Sequence, residues 1–442
     1  MDKNIRLIDG SVTTPIGFRA AGVFCDIKRL GTGKGSDKGQ KRDLMLIASD
    51  CPAKVAGMFT TNQICAAPVK VSVPRATKAQ AQAIVSNSGN ANACTGKQGM
   101  KDALAMVAET AGILGIPDRD VLVCSTGRIG MPMPMENVIS GIREAAKGLS
   151  HSREAAAEAA EAIMTSDRVS KEVAVQIRVG GKNVTIGGIA KGAGMIEPGM
   201  SPSGKRPPSR PLHATMLGFI TSDAAVASQV LKKALCEAVA MTFNRITIDG
   251  DMSTNDTVLM LANGMAGNTM IKSLQTPDGR RFQEALMLVC RTLARKIVSD
   301  GEGVTRVVTI RVSGAVSHLD ADRAARWVGN CVLAKTSWFG GDPNWGRIID
   351  ALGYSPAKII EDKVDIGYSL PGSREVTWSL RRGLPTAVDF LTLCECVAPQ
   401  EFDLHIRLNL GRGKATVYAC DLSDEYVEFN KGDISNPAAL GG

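Results

Sequence analysis

A proline-rich, basic segment interrupts this chain near its midpoint and is followed at once by the pattern of a buried strand. The segment, SPSGKRPPSRPLH at residues 201–213, contains four prolines and three lysine or arginine residues. Such a composition cannot pack into a core, so we expect an exposed loop. Thr215 then opens the apolar run MLGFI at 216–220, which predicts a buried strand. If the chain is cut just before Thr215, that residue carries a hydroxyl nucleophile and a free α-amine that can serve as its base.

The overall composition is that of an ordinary globular protein. The 442 residues are 44% hydrophobic and 22% charged, and a chain of this length predicts two or three domains. The net charge of +8 comes from dispersed lysines and arginines, without a basic stripe that interleaves with aromatic residues. We therefore expect no nucleic-acid partner, and a mild positive charge that suits small anionic substrates.

The cysteines and the apolar runs bear on the compartment and on metal binding. Eleven cysteines are present, only Cys394 and Cys396 are close together, and no paired CxxC spacing occurs. This pattern favours reduced thiols in the cytoplasm and no metal site. No run of about 18 apolar residues occurs and the N-terminus has no apolar signal region, so we expect neither membrane insertion nor secretion.

Periodic apolar patterns predict helices and strands that mix along the chain. Helices are expected over 101–114, 153–165, 282–298 and from a cap at Ser222 or Asp223 to about residue 243. Strands are expected over 44–48, 183–190, 308–312 and 404–408. The mixture indicates an α/β protein, and neither a strict alternation of strand and helix nor a Rossmann glycine pattern occurs.

Six short motifs follow one another along the chain. In order they are NSGNANACTG at 87–96, STGRIG at 125–130, KGAGMI at 191–196 with ATML at 214–217, NRITIDGD at 244–251 with STND at 253–256, DGEG at 300–303, and DPNWGR at 342–347. Together, and in this order, they resemble the ornithine acetyltransferase family, also called bifunctional glutamate N-acetyltransferases. The resemblance extends over residues 16–435, nearly the whole chain.

This resemblance implies a fold and a processing step. The fold is expected to be α/β, a layered sandwich of sheets and helices similar to that of N-terminal-nucleophile enzymes. The precursor is expected to cut itself at Ala214–Thr215, giving an α chain of residues 1–214 and a β chain of residues 215–442. The N→O acyl shift and ester hydrolysis of such a cut require a hydroxyl or thiol at its start. The family further implies an α2β2 heterotetramer.

The resemblance also implies a reaction in arginine biosynthesis. Thr215 would take an acetyl group from N2-acetylornithine and pass it to glutamate, by a ping-pong mechanism through an acetyl-threonine ester. The α-amine of Thr215 would act as the base, because such amines titrate near neutral pH. No cofactor is expected, although some members of the family use acetyl-CoA as a second acetyl donor, and no residue here decides that question.

Several residues match functional positions of the family. Thr126 and Gly127 match the oxyanion-hole pair, and Lys191 matches an active-site lysine suited to a substrate carboxylate and to lowering the pKa of the nearby amine. Glu302 suits the ammonium group of ornithine. The implied substrate-binding residues are Thr165, Lys191, Thr215, Glu302, Asn430 and Ser435.

Structural roles stay open for several of these residues. Taken alone, Thr126–Gly127 fits a plain turn, Lys191 a solvated lysine and Glu302 a solvated loop acid. Three nearby acids, Asp249, Asp251 and Asp256, lack the spacing of a calcium loop, and we expect turn and capping residues there.

The chain departs from the family at two places. The segment 201–213 stands where the family runs almost directly into the Ala–Thr step, which puts the efficiency of self-cleavage in question. Ser435 stands where the family ends on a threonine, and seven further residues follow it. Three other functions therefore stay open: a self-cleaving aminopeptidase or amidase, an acetyltransferase with another acceptor, and an uncleaved binding protein without activity.

Overall fold

Two β-sheets and the helices around them make up this protein. The computed structural model describes residues 5–28, 41–78, 80–205 and 216–431. The strands of these residues are β1 Ile5–Ile8, β2 Phe18–Val23, β3 Leu44–Phe59, β4 Gln80–Asn90, β5 Val121–Arg128, β6 Lys171–Val179, β7 Lys182–Lys191, β8 Leu217–Ser222, β9 Thr257–Ala262, β10 Val307–Ala315, β11 Asp365–Ser369, β12 Thr377–Arg381, β13 Leu384–Pro385, β14 Glu401–Arg407 and β15 Gly413–Cys420. The α-helices are α1 Ala67–Ala76, α2 Gly96–Leu114, α3 Met135–Lys147, α4 Arg153–Ala162, α5 Ser228–Met241, α6 Pro277–Ser299, α7 His318–Gly329, α8 Val332–Phe339, α9 Trp345–Gly353, α10 Phe390–Val397 and α11 Asp424–Asn430.

The larger sheet contains nine of the described strands. Its order is β1-β6-β7-β8-β9-β3-β4-β5, and β2 pairs with β3 beside that path. Strand β8 pairs antiparallel with β7 and parallel with β9, and β9 pairs antiparallel with β3. The strands that follow the 206–215 segment therefore lie in the middle of a sheet that the preceding residues begin and complete.

Both faces of the larger sheet are apolar. Successive residues of a strand point to opposite sides of the sheet, so a single strand contributes side chains to the cores on both faces. On β3, Val55 joins a core that includes alanines of α4, whereas Ala56 and Met58 join the core beneath α5 and α6. Burial on both faces explains why its strands carry long runs of apolar residues rather than an alternation of apolar and polar ones.

The smaller sheet has one apolar face. Its order is β13-β12-β11-β14-β10-β15. On β10, Val308, Ile310 and Val312 belong to a core with α7, α8, α9 and α10, whereas the intervening Arg311 pairs with Asp403 at 2.7 Å. This alternation is the period-two pattern that predicted a strand at 308–312.

A buried ionic network joins the two sheets. Arg326 of α7 donates to Glu197 at 3.0 Å and to Asp322 at 3.2 Å, and all three side chains are at most 10% exposed. Asn330 donates to the second oxygen of Glu197 at 2.9 Å. Glu197 precedes the 206–215 segment and Arg326 follows it, so the network ties the two halves of the chain together.

The layered α/β fold expected from the sequence is confirmed, with local differences. Three of the expected helices correspond to α2, α4 and α6. The fourth, α5, begins after Ala227 rather than at Ser222 or Asp223, because β8 continues to Ser222 through its pairing with Ile186. Within the described residues, no helix is long and apolar enough to cross a membrane.

The inserted segment is partly described. Ser201 is buried, contrary to expectation, because its backbone exchanges two hydrogen bonds with Phe59, at 2.8 and 2.9 Å. Pro202, Ser203 and Lys205 are exposed, as expected. The remainder of the insert, and with it Ala214 and Thr215, lies outside the described residues, as does Ser435. The division into chains 1–214 and 215–442 stays a prediction.

Candidate active site

Lys191 ends β7 inside the protein rather than in solvent. The residue is 2% exposed, which excludes the solvated lysine that an isolated Lys–Gly step suggests. Its Nζ donates to Thr165 Oγ1 at 2.8 Å and lies 3.9 Å from Asp167 Oδ2. The structure therefore brings together two predicted site residues, Lys191 and Thr165, that are 26 positions apart.

Asp167 organises the surroundings of this lysine. Its carboxylate accepts hydrogen bonds from Gly192 N at 2.7 Å, Thr165 N at 3.1 Å and Lys171 Nζ at 2.6 Å. Lys171 also donates to Asp300 at 2.5 Å. Burial alone would raise the pKa of Asp167, but Lys191 and Lys171 outweigh burial and hold that pKa at about 2.

Burial disfavours the charged form of Lys191. Burial lowers the pKa of its ammonium group and Lys171 lowers it further, whereas Asp167, Glu302 and Asp256 raise it. A buried lysine whose pKa is lowered gives up its proton more readily than an exposed lysine, and its protonated form can pair with a substrate carboxylate.

Thr126 and Gly127 lie near the end of β5. Thr126 is buried and pairs in register with Ser88 and Asn90 of β4. Gly127 has φ +130°, and a Cβ built there would lie 2.4 Å from the carbonyl carbon of Gly89. Only glycine fits this position, both by its backbone angle and by the close approach of β4. A backbone N–H held this tightly is the kind of donor that stabilises an oxyanion.

The chain resumes at Met216 next to the end of β7. Met216 is fully buried, donates its N–H to Asp256 Oδ1 and accepts from Thr257 N at 3.0 Å. The next residue, Leu217, pairs with Lys191 on one side and with Thr257 on the other. The residue that follows Thr215 is thus fixed on a strand adjacent to the one that Lys191 ends.

A third group of residues comes from the second half of the chain. Glu302 donates its N–H to Ala193 O at 2.9 Å, two residues beyond Lys191, and its Oε2 accepts from Asn430 Nδ2 at 2.9 Å. A Cβ at Gly194 would lie 2.5 Å from the Glu302 carboxylate, so any side chain at this position would push that carboxylate aside. The structure therefore brings the predicted residues Glu302 and Asn430 together, close to the turn that follows Lys191.

The three nearby acids have separate roles. Asp249 accepts from Met195 N at 2.6 Å and Ile196 N at 2.8 Å, as expected of a capping residue. Asp256 is buried against Met216 instead. No group of three or more potential metal ligands occurs in the described part of the chain.

An open cavity of about 550 Å³ reaches this region. Its lining includes Thr165 and Asp167 together with Met164, Glu161, Arg42 and Lys28. The cavity is rimmed by both signs of charge, which suits an amino-acid ligand that carries both.

Sequence patterns alone did not identify Asp167, Lys171, Asn255 or Asp256 as parts of the site. Asp167 stands two positions after Thr165 and could have been suspected from that spacing. The contacts of Asn255 and Asp256 join residues 130 and 40 positions apart respectively, and the STND motif that contains both residues does not indicate these contacts.

A buried lysine, a strand end with tight backbone donors and a fixed strand start are groups of the kind that serve a carbonyl under attack, and they fit the class of acyl-transferring enzymes. The family model described as the ArgJ family matches residues 19–432. The arginine biosynthesis bifunctional protein ArgJ of Symbiobacterium thermophilum is 45% identical over 421 residues, covering 95% of this chain and 98% of that protein. The protein of the same name from Caldanaerobacter subterraneus subsp. tengcongensis is 45% identical over 426 residues, covering 96% of this chain and 99% of that protein.

One solved structure with similarity to this chain is ornithine acetyltransferase from Mycobacterium tuberculosis in complex with ornithine. It is 37% identical, with a TM-score of 0.40, and covers 45% of this chain and 100% of that one. By the family model and the curated relatives, the present chain belongs to the ArgJ family and is an acetyltransferase. This membership sets aside the interpretation as a binding protein without activity.

Proposed function

We propose that this enzyme cuts itself at Ala214–Thr215 and then transfers acetyl groups from N2-acetylornithine to glutamate through Thr215. The observation that carries the proposal is the placement of Met216. The residue after the nucleophile is buried, held by Asp256 and Thr257, and its strand pairs with the end of β7 at Lys191. The names of the two relatives, arginine biosynthesis bifunctional proteins, support the same pathway.

The self-cleavage consumes one water and leaves Thr215 as a new N-terminus. Thr215 Oγ attacks the Ala214 carbonyl carbon, the C–N bond breaks and the nitrogen of Thr215 takes a proton. Water then hydrolyses the resulting ester. The products are a carboxylate on Ala214 and, on Thr215, the free hydroxyl and α-amine that the transfer reaction needs.

The transfer proceeds in two halves. Thr215 Oγ adds to the acetyl carbonyl while its proton passes to the α-amine, and the α-nitrogen of ornithine leaves with that proton. Glutamate then attacks the ester carbonyl through its α-amine, and Thr215 Oγ recovers a proton. Thr126 and Gly127 would stabilise the oxyanion in both halves, and Lys191 would pair with a substrate carboxylate.

Substrate recognition follows the distribution of charge. Lys191 and Thr165 would bind the carboxylate and polar groups that both substrates share. Glu302, with Asn430 beside it, would bind the side-chain ammonium of ornithine, while Ser435 stays a predicted contact. We propose no cofactor, and acetyl-CoA as a second donor stays open.

We expect an α2β2 heterotetramer that is located in the cytoplasm. An α2β2 assembly follows from the family resemblance. All eleven cysteines, each of which lies in the described residues, are free thiols, which supports a reducing compartment such as the cytoplasm.

Steady-state kinetics with both substrates test this function. We expect parallel lines in double-reciprocal plots, and acetylglutamate formed in equal amount to ornithine. Acetate released at the same rate without glutamate would favour the amidase alternative. Rapid acetylation of another amine, with glutamate inert, would identify a different acceptor. A Thr215→Ala variant is the control, and its activity should be absent.

A further inference from the structure

A short segment before β9 connects the two halves of the candidate site. This bridging segment, residues 253–256, is held along its backbone by the β3–α1 connection. Thr60 Oγ1 donates to Ser253 O at 2.8 Å, Ala66 N to Thr254 O at 3.0 Å, and Thr60 N to Asp256 O at 2.8 Å. With three backbone carbonyls bonded, the segment is a rigid support for its side chains.

Asn255 attaches the bridging segment to the strand end at Thr126. Its side chain is buried and every polar atom is used: Oδ1 accepts from the Thr254 hydroxyl, and Nδ2 donates to Ala91 O at 2.7 Å and Ser125 O at 2.8 Å. Ser125 immediately precedes Thr126. The amide of Asn255 therefore fixes the backbone from which the two oxyanion donors project.

Asp256 attaches the same segment to the start of β8. The side chain is fully buried, Oδ1 accepts from Met216 N, and Oδ2 has no hydrogen-bond partner among the residues the structure describes. Burial raises the pKa of this carboxyl well above its ordinary value of 3.8, although the Met216 N–H and Lys191 oppose that rise. A neutral carboxyl can hold Met216 without placing a further negative charge in the core.

We propose that Asn255 and Asp256 are positioning residues that set the separation between the Thr126–Gly127 strand end and the strand start that follows Thr215. The two neighbouring side chains bond to different parts of the sheet, Asn255 to Ser125 O and Asp256 to Met216 N, so one rigid segment reaches both groups. The inference rests on the proposed function. A catalytic group displaced by about 1 Å costs about 10²-fold in rate, which makes such a spacer important to the reaction.

The opposite end of β8 and β9 offers matched control residues. Asn268 is also buried: its Oδ1 accepts from Ala225 N, and its Nδ2, like that of Asn255, donates to two backbone carbonyls, those of Ala225 and Thr269. Asp223 is a buried carboxyl that accepts from Thr185 N and Ile16 N, and burial raises its pKa as well. Changes at Asn268 and Asp223 disturb the same sheet without touching the site.

The experiment compares Asn255→Ala with Asn268→Ala, and Asp256→Ala with Asp256→Asn and Asp223→Asn. For each full-length variant we would measure the thermal midpoint, the rate of self-cleavage, and kcat and KM per site that forms acetyl-enzyme. We expect Asn255→Ala and Asp256→Ala to lower both the cleavage rate and kcat by about 10²-fold, with KM changed less than about threefold.

The remaining variants give the other expected results. Asp256→Asn keeps an oxygen acceptor for Met216 N–H and should restore kcat to within about tenfold of the wild type, whereas both controls should stay within about threefold. A purely structural role would lower the thermal midpoint of Asn255→Ala and Asn268→Ala alike and leave kcat per acetylated site unchanged.

Two outcomes overturn the proposal. The first is that Asn255→Ala and Asp256→Ala both have the same kcat as the controls Asn268→Ala and Asp223→Asn. The second is that Asp256→Asn loses as much kcat as Asp256→Ala. If Asn255→Ala does not fold, the Asp256 pair decides alone. Failure of the wild type itself to cleave or to form acetyl-enzyme would instead reject the proposed function, so the two failures are distinguishable.

Discussion

Burial distinguishes two roles for Lys191, a solvated side chain or an active-site side chain, between which the sequence alone does not decide. Its motif, a lysine before a glycine-rich turn, fits a solvated side chain as well as a catalytic one. The structure places its ammonium against Thr165 and near Asp167, with the residue 2% exposed. A cation held there needs the acids around it, because an unpaired buried charge is strongly unfavourable.

Replacing this cation should impair substrate binding and turnover. We expect Lys191→Met to lower kcat/KM by about 10²-fold, because the substrate carboxylate loses its charged partner in a buried place. Lys182→Met, at the exposed start of the same strand, is the control and should leave kcat/KM unchanged. Steady-state assays over pH 6–9 measure both; equal activity of the two variants would reject a role for Lys191.

The tight backbone at Gly127 leads to a second prediction at this scale. Gly127→Ala should lower kcat by about 10²–10³-fold, because the new Cβ would meet Gly89 and move an oxyanion donor. Gly130→Ala is the matched control, since Gly130 also has a positive φ of +82° but open space around it. The prediction fails if the two alanine variants lose activity to the same extent.

At the scale of elements, helix interiors were predictable, whereas several helix ends were not: α4 begins at Arg153 as predicted but ends at Ala162. The apolar spacing over 282–298 predicted most of α6, which spans Pro277–Ser299. The predicted start of α5 was wrong. Ser222 and Asp223 have the local pattern of a helix cap, but pairing with β7 keeps Ser222 in β8. Capping is a local preference, and long-range strand pairing overrides it.

The turn between α4 and β6 should make the stability of the protein depend on pH in the acidic range. Asp167 lies in that turn, and its pKa of about 2 in the folded protein is below the ordinary 3.8. Its contribution is therefore present above about pH 4 and is lost as pH falls toward 2. We expect Asp167→Asn to flatten this part of a plot of thermal midpoint against pH. Asp50→Asn, which removes a surface pair with Arg19, should leave the slope unchanged.

At the scale of the whole molecule, the two halves of the chain interlock. Strand β8 lies between β7 and β9, and β9 lies against β3, so residues before and after the proposed cut alternate within one sheet. Local sequence patterns do not contain such strand pairings. The sequence therefore predicted a cut into two chains, but not that strands of the two chains would pair within one sheet. The candidate motif residues of the site came from the resemblance, whereas the contacts of Asn255 and Asp256 arise only when the chain folds.

The buried network between the sheets should contribute to the stability of the whole molecule. We expect Arg326→Met to lower the free energy of unfolding by about 3–5 kcal/mol, because Glu197 would be left buried without a cation and Asp322 would keep only Arg245. Lys233→Met removes a pair with Glu237 in which both side chains are exposed, and should cost less than about 1 kcal/mol. Denaturant titration measures both, and similar values for the two variants would contradict a stabilising role of the network.

The central claim, that Thr215 becomes an N-terminal nucleophile, is tested most directly by denaturing mass spectrometry. Fresh wild-type protein and a Thr215→Ala variant would be compared, with and without N2-acetylornithine. We predict two wild-type fragments, the second beginning at Thr215 and gaining the mass of one acetyl group with the substrate, and an intact, unacetylated variant. A single intact chain in both samples, or an acetyl group on the first fragment, would contradict the assignment of Thr215.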